Sequence, residues 1–289
     1  MGMSTTRISL DELRDSLTEL PTIPETLTRI LQLLEDPNSG ARDLAEVIRA
    51  DAPLASKILR LANSPLYQKH RTIKSVQECV SVLGYRTVRQ VALCVAVISS
   101  LGKACEEHAD VLDYRELWRH SVAVGAIAND LSRRTGKGEP ESVFLAGLLH
   151  DLGKFVLTVI QPRQYARVIR LRRENGGRLI DIEMHELGYD HSTVGETVAD
   201  AWSFPPELQT PIAGHHQTSP TDPVVALVAA ADYLANNLAP AQSDLGYSNE
   251  LVDGDLLLEC IGFTRAQADD LAGDFKAAIS AASPLTHLD

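Results

Sequence analysis

Apolar positions recur at steps of three and four along nearly the whole chain. Leu27, Ile30, Leu31, Leu33 and Leu34 keep that step, as do Leu44, Val47 and Ile48, and then Leu54, Ile58 and Leu61. Such spacing gathers apolar side chains on one face of a helix. Helix starts are signalled by a hydroxyl residue three positions before an acid or amide: Ser9 with Glu12, Thr22 with Glu25, Ser75 with Glu78, Thr193 with Glu196, and Thr264 with Gln267. At that spacing each side chain can cap a backbone N–H beside the other. Pro24 and Pro53 stand where a first helical turn tolerates proline. Strict alternation never lasts beyond a few residues, and no Asn-Gly or Asp-Gly pair lies between alternating apolar runs. The pattern predicts an all-α fold.

Turn-forming sequences separate the helices at Asp36-Pro37-Asn38, Asn63-Ser64-Pro65, Gly136-Lys137-Gly138, Gly176-Gly177, Pro205-Pro206 and Pro220 to Pro223. A long apolar helix over about 85–101 precedes a polar, acidic stretch from Gly102 to Asp113. That stretch marks the expected boundary between a helical N-terminal half, residues 1–107, and a second half, residues 108–289. Helices over about 254–262 and 265–280 either close the core of the second half or offer a docking surface. No repeat of 20–50 residues is present.

Composition narrows the class. In 289 residues, 44% hydrophobic against 23% charged is enough to bury a core without disulfides or a structural metal. Aromatics at 5% imply an aliphatic core and a poor stacking surface for bases. With 27 Lys+Arg against 39 Asp+Glu the net charge is −12, which repels phosphate backbones and disfavours a non-specific nucleic-acid binder. The four cysteines form no Cys-x-x-Cys pair, and three lie in apolar helical patterns, as buried thiols of a reducing compartment do. The N-terminus carries no apolar core of signal-peptide type, and the longest unbroken apolar run, Val91 to Ile98, is too short to cross a bilayer. Met1-Gly2 with Thr6 fits a myristoylation pattern but lacks a second membrane signal. The expectation is a cytoplasmic protein with no membrane partner.

The chemistry-bearing residues come in pairs. His150 and Asp151 are adjacent at the end of the apolar run Phe144–Leu149. Neighbours on a helix are about 100° apart, so both reach one ion only at the edge of a buried face. Taken alone, a His-Asp pair is common, although an Asp can bridge two ions with its two oxygens. Glu116 and His120 share a helix face one turn apart, which is also the spacing of a surface ion pair. Asp190-His191 precede an amphipathic helix; His215-His216 follow a short helix and could equally be exposed loop residues. Asp232 lies in an otherwise apolar helix, where a carboxylate needs a cationic partner. His185, six residues before His191, is an alternative ligand.

Together these are five histidines and three carboxylates with no cysteine among them. The mixture suits Fe, Mn, Zn, Co or Ni, in number enough for two ions. Two divalent ions about 3.5–4 Å apart can activate water and clamp a phosphoryl group for in-line attack. Lys154, one turn after Asp151, could neutralise a phosphate oxygen or be a solvated helix-end lysine. The same side chains could also satisfy one another by hydrogen bonds with no ion at all. Arg163, Arg167, Arg170, Arg172 and Arg173 form a basic stretch that either receives phosphate or an acidic partner or is a solvated helix face. The glycines and basic residues around Gly136 do not make a phosphate-binding loop, and no Gly-x-Ser-x-Gly occurs.

The order His120, His150-Asp151, Asp232 resembles the HD superfamily of metal-dependent phosphohydrolases. With Glu116, His191 and His215-His216 added, the set resembles the metal site of HD-GYP cyclic dinucleotide phosphodiesterases. That pattern runs on from His191 to Gly195, Trp202 and Pro205. Leu20-Pro-Thr-Ile-Pro24, Asp51-Ala-Pro-Leu54, Lys57 through Asn63-Ser64 to Tyr67, Ile73-Lys-Ser75 and Leu83-Gly84 are similar to the HDOD domain, the HD-related output module of bacterial signalling proteins. The likeness spans about residues 15–240.

The resemblance implies a multi-helix bundle in which an HD-like C-terminal half packs on a helical N-terminal half. It further implies one or two divalent ions per chain, Fe, Mn or Zn, at Glu116, His120, His150, Asp151, His191, His215, His216 and Asp232, and a signalling-protein partner. Here His216 is followed by Gln217-Thr-Ser-Pro220, and Gly-Tyr-Pro occurs nowhere, so cyclic di-GMP hydrolysis is not implied. Two functions follow. One is a regulatory output module whose metal is structural or biases conformation. The other is a metal-dependent phosphohydrolase acting on a nucleotide or other phosphoester, with Asp151 bridging the ions and Lys154 steadying the phosphate.

Overall fold

Seventeen α-helices and a closing 3₁₀ turn (Ser283–His287) make up a computed structural model that describes residues 8–18, 25–36, 38–64, 72–238 and 253–287, with no strand among them. The first half supplies α1 (Leu10–Thr18), α2 (Glu25–Glu35), α3 (Ala41–Ala50), α4 (Ala52–Ala62), α5 (Val76–Leu83) and α6 (Tyr85–Glu106). The second supplies α7 (Tyr114–Thr135), α8 (Pro140–Leu149), α9 (Leu152–Ile160), α10 (Pro162–Asn175), α11 (Leu179–Leu187) and α12 (His191–Ala201). It continues with α13 (Pro206–Gly214), α14 (Pro223–Leu238), α15 (Gly254–Ile261), α16 (Arg265–Asp270) and α17 (Ala272–Ala282). Met1, Gly2 and Thr6, the Leu20–Pro24 motif with Thr22, Pro37, Pro65, Tyr67, His70 and the side chain of His287 lie outside the described residues.

The fold is all-α, as the periodicity predicts, with local differences. The apolar helix expected to stop near residue 101 runs to Glu106, because Leu101, Gly102 and Cys105 continue its buried face. The polar stretch that follows is therefore only 107–113, and even there Val111 and Leu112 are buried. Apolar residues from Leu13 to Leu285 join in one cluster, and α6 packs on both α8 and α9. Ser9–Glu12 and Thr264–Gln267 form their reciprocal caps, and Pro53 sits in the first turn of α4. The Thr193–Glu196 start is corrected: Asp190 caps α12 by accepting from Thr193 N at 2.8 Å, so the helix begins at His191. The helix expected over 265–280 is broken at Leu271 into two.

The unbroken apolar run Val91 to Ile98 lies inside α6, among its buried residues. Tyr85–Glu106 and Pro140–Ile160 are long and apolar enough to cross a bilayer by length and composition, but 72% and 89% of their apolar windows are buried inside the protein. Core helices read the same way. In α10 the basic stretch is mostly a solvated face, except that Arg172 is buried; Arg167 pairs with Glu186 at 2.8 Å.

Two helix crossings set the position of the site. A Cβ on Gly147 of α8 would come within 2.8 Å of Gly125 Cα, and one on Gly125 within 2.8 Å of Phe144 O. Thus α7 and α8 cross backbone against backbone, bringing the end of α8 beside the first turns of α7. At the second crossing, a Cβ on Gly153 of α9 would overlap the His191 carbonyl oxygen and approach Gly195 N to 2.9 Å. That contact presses the start of α12 against the start of α9.

Candidate metal centre

The chain breaks between α8 and α9 at the His150-Asp151 pair. His150 ends α8 with helical angles, and Asp151 (φ −93°, ψ 18°) begins α9. This overturns the expectation that the pair could share an ion only at the edge of one helix face. The turn directs both side chains inward, each 1% exposed.

Hydrogen bonds to carbonyl oxygens fix the imidazole tautomers. His150 Nδ1 lies 2.7 Å from Gly147 O, and His215 Nδ1 lies 2.9 Å from Ile212 O. A carbonyl only accepts, so Nδ1 carries the proton in both rings and a neutral ring leaves Nε2 as a lone pair. His150 Nε2 then faces Asp151 Oδ2 at 3.3 Å, and His215 Nε2 faces Asp151 Oδ1 at 3.6 Å. With both rings neutral these are acceptors aimed at acceptors; burial acts downward on His150, but the Asp151 carboxylate beside it raises the ring above its ordinary value. His150 Nε2, His215 Nε2 and Asp151 Oδ1 are all buried with no hydrogen-bond partner. Each such atom costs about 1–3 kcal/mol unless something cationic sits among them. A divalent ion meets that requirement, and nitrogen and oxygen donors are its usual ligands.

The donors fall into two groups that share one carboxylate. His120, His150 and Asp151 place donor atoms within 4.8 Å of one another; so do Asp151, His191, His215 and His216. Asp151 turns Oδ2 toward His150 and Oδ1 toward His191 and His215, one oxygen to each group. Asp232 stands beside the first group, with Oδ1 at 3.0 Å from His120 Nε2 and 3.9 Å from His150 Nε2, and it accepts from Asn236 Nδ2. His216 is half-buried, not a loop residue in solvent, and its Nε2 meets His191 Nε2 at 2.9 Å. His185 is 82% exposed with its ring on Glu186, so His191 is the histidine at the centre.

Glu116 and Lys154 differ from their simplest readings. Glu116 is buried one turn before His120 but belongs to neither group, and Arg119 Nη2 holds its Oε1 at 2.9 Å. Lys154 is no solvated lysine: it is 5% exposed and donates to Asp151 Oδ2 at 2.7 Å.

One buried carboxylate beside the donors is not singled out by the sequence. Glu183 of α11 is fully buried and accepts from His191 Nδ1 at 2.6 Å, from His191 N at 2.9 Å and from the Tyr165 hydroxyl at 3.0 Å. It fixes the ring so that Nε2 points at Asp151. The signal was there: Leu179, Glu183 and Leu187 share the buried stripe of α11, where an acid needs a partner. Carboxylates behind ligating histidines typically matter 10–100-fold in metal affinity. Glu183→Gln is therefore expected to weaken metal retention by roughly that factor with the fold kept, measured by chelator competition.

Electrostatics sharpen the picture. Burial alone would push Asp151 up, but His150 and Lys154 beside it hold its carboxyl well below the usual range. Burial would likewise raise Asp232, yet the His120 hydrogen bond brings it to about 2. Burial lowers His215 and, with the neighbouring imidazoles, holds His216 well below the ordinary value. For His191 burial acts downward, but Glu183 overturns it and raises the ring to about 9. A ring raised in this way favours a proton on Nε2 where no ion is bound, facing Asp151 Oδ1 at 3.3 Å and His216 Nε2 at 2.9 Å.

The pH dependence has a definite sign. A raised imidazole stabilises the fold fully below about pH 6.5 and ceases to do so as pH climbs through 9. Chelator-treated protein should lose a few kcal/mol between those values, read as a falling Tm, and Glu183→Gln should flatten that fall. Metal retention should run the other way and strengthen with pH, because the ion displaces the proton.

Residues 20–218 match the HDOD domain family. An HDOD domain protein of unknown function from Geobacter sulfurreducens has the same fold, with a TM-score of 0.71 and 25% identity over 97% of this chain and 98% of that one. A protein of Shewanella amazonensis described as a "Putative phosphohydrolase" shares the fold at a TM-score of 0.68, with 22% identity over 94% and 97% of the two chains. An uncharacterised protein of Treponema pallidum is 24% identical over 225 residues, 75% of this chain; the match spans only 42% of that relative's length.

Proposed function

The chain belongs to the HDOD domain family, and from that premise we propose that it is a metal-loaded output module of bacterial signal transduction with a dinuclear HD-type centre. The observation that carries this reading is the convergence of His150 Nε2, His215 Nε2 and Asp151 Oδ1, each buried and without a hydrogen-bond partner, on one space. His120, His150 and Asp232 would hold one ion, His191, His215 and His216 the other, and Asp151 both. Glu116 could join the first only if its ion pair with Arg119 opened. Divalent ions of the Fe, Mn or Zn kind would supply Lewis acidity and lower the pKa of a bound water.

The donors come from α7, the α8–α9 turn, α12, the end of α13, and α14. Loading the site therefore ties five separate elements together, and metal binding energy becomes folding energy. All the donors except His216 are buried, which suits a centre that holds conformation better than one that admits a large phosphodiester. A signalling protein is the partner we propose. The charge of −12 disfavours nucleic acid, and the buried thiols of Cys79, Cys94 and Cys105 suit the cytoplasm.

One observation favours a second reading, a metal-dependent phosphohydrolase. Lys154 Nζ already lies 2.7 Å from the shared carboxylate, where it could pass from Asp151 to a phosphate oxygen once an ion takes its place. An assay of bis(p-nitrophenyl) phosphate with Mn²⁺ or Fe²⁺ separates the two. The output-module reading predicts no turnover above the metal-free protein. Metal-dependent turnover that Asp151→Asn abolishes would replace it with the hydrolase.

A further inference from the structure

Helix α10 carries five arginines and one acid, Glu174, a net charge of +4 on a chain whose total is −12. Arg163, Arg167, Arg170 and Arg173 are all exposed. Positions 163, 167 and 170 step by four and three, so they share one helix face about 10 Å long, with Arg173 at its flank. No lysine interrupts the set. A guanidinium grips a carboxylate through two parallel N–H donors, which an ammonium cannot do.

The chain's own acids answer this face poorly. Arg167 Nε lies 2.8 Å from Glu186 Oε2, yet the Arg167 side chain stays 55% exposed. Arg163, Arg170 and Arg173 make no ion pair among the described residues. On the inner side of the same helix Arg172 is buried with its Nε lacking a partner, a further cation that no carboxylate offsets. The exposed arginines stand three or four residues apart, a spacing at which like charges repel and cost helix stability. Carboxylates laid along the face would remove that cost.

Size and chemistry narrow what fits. A nucleic-acid duplex or a bilayer extends well past 10 Å and meets the surrounding surface of an acidic protein, within about one Debye length of the stripe. The exposed residues of α10 are all polar, so none inserts into lipid or stacks on a base. The buried side of α10 leads toward the metal centre: Tyr165 donates to Glu183 Oε1 at 3.0 Å, and Glu183 holds the His191 ring.

We propose that the arginine face of α10 docks an acidic segment of a partner protein, a helix whose Asp and Glu side chains repeat at steps of three and four. Its carboxylates would pair with Arg163, Arg170 and Arg173 and compete with Glu186 for Arg167. This gives a surface to the signalling partner and rests on the output-module reading for that partner being a protein. The pairing itself needs no metal, so it can fail while the centre holds its ions, and hold where the centre is empty.

Fluorescence anisotropy of the full chain with a labelled alanine-based peptide, Glu at steps of three and four, tests this. The controls are the same peptide with Gln for Glu, a short DNA duplex, and phosphatidylcholine vesicles containing phosphatidylserine. The Glu peptide should saturate one site at low salt and bind at least tenfold more weakly as salt rises from about 0.05 to 0.5 M. The Gln peptide should bind at least tenfold more weakly throughout. Arg170→Glu should cost at least tenfold in affinity at an unchanged Tm, because that side chain is exposed and makes no ion pair. Arg42→Glu on α3, where the side chain is 86% exposed, changes the net charge equally and should leave binding as it was. No saturation at low salt, or the same affinity in Arg170→Glu, would overturn the proposal. Tighter binding of the duplex or the vesicles would also overturn it, in favour of a nucleic-acid or membrane site. So would a dimer in light scattering that Arg170→Glu dissociates, which would seat a second copy of the chain on this face.

Discussion

The Asp151→Asn variant is expected to lose metal from both groups at once. Asp151 turns one oxygen to His150 and its second to His191 and His215, and among the described residues it alone belongs to both donor groups. The amide keeps the shape but gives up the charge, and its NH₂ would point a donor where an ion needs a lone pair. Lys154 makes the effect larger. Its ammonium is 5% exposed and donates to Asp151 Oδ2, so the variant strands a buried cation, and breaking such a pair costs about 3–5 kcal/mol. The variant should bind no metal stoichiometrically and melt well below the parent. His216→Ala, which removes a half-buried donor from the second group alone, should keep one ion per chain. Asp151→Asn protein that retains two ions would show that Asp151 does not bridge.

The Gly153→Ala variant should have the second-largest effect, through backbone. The methyl would overlap the His191 carbonyl oxygen and crowd Gly195 N, and neither is the far end of a flexible side chain. Only a separation of α9 from α12 relieves the overlap, at about 1–3 kcal/mol or more. His191 begins α12, so the same displacement draws its ring away from Asp151. The expected result is a lower Tm with loss of the ion held by His191, His215 and His216, while the ion beside His120 and Asp232 stays. Gly273→Ala in α17 is the control: nothing lies within 4 Å of its new methyl, and alanine should be neutral or favourable there. Equal melting of Gly153→Ala and parent would contradict the crossing described.

Much of this was legible because helices write their buried face into the sequence at a fixed period. The donors were legible for a related reason. Asp232 in the apolar run of α14 had to find a cation, and His150-Asp151 ended another apolar run. What the sequence could not convey was local geometry. Nothing in Leu149-His150-Asp151-Leu152 announces a helix break, since every one of those residues is acceptable inside a helix. Thr193–Glu196 looked like the start of α12 because its spacing is that of a cap, but Asp190 competes for the same N–H and wins. Glu183 was overlooked because an acid in a helix usually faces water; only its four-residue spacing from Leu179 and Leu187 places it inside. Helix α6 runs past Gly102, where polarity suggests a boundary, because Leu101, Gly102 and Cys105 continue its buried face.

Elemental analysis of the full chain, purified without chelators and compared with Asp151→Asn, bears most directly on the centre. Two transition-metal ions per chain in the parent, and none in the variant, is the predicted result. A parent protein that stays metal-free after incubation with Fe²⁺, Mn²⁺ and Zn²⁺ would mean that these imidazoles and carboxylates only satisfy one another.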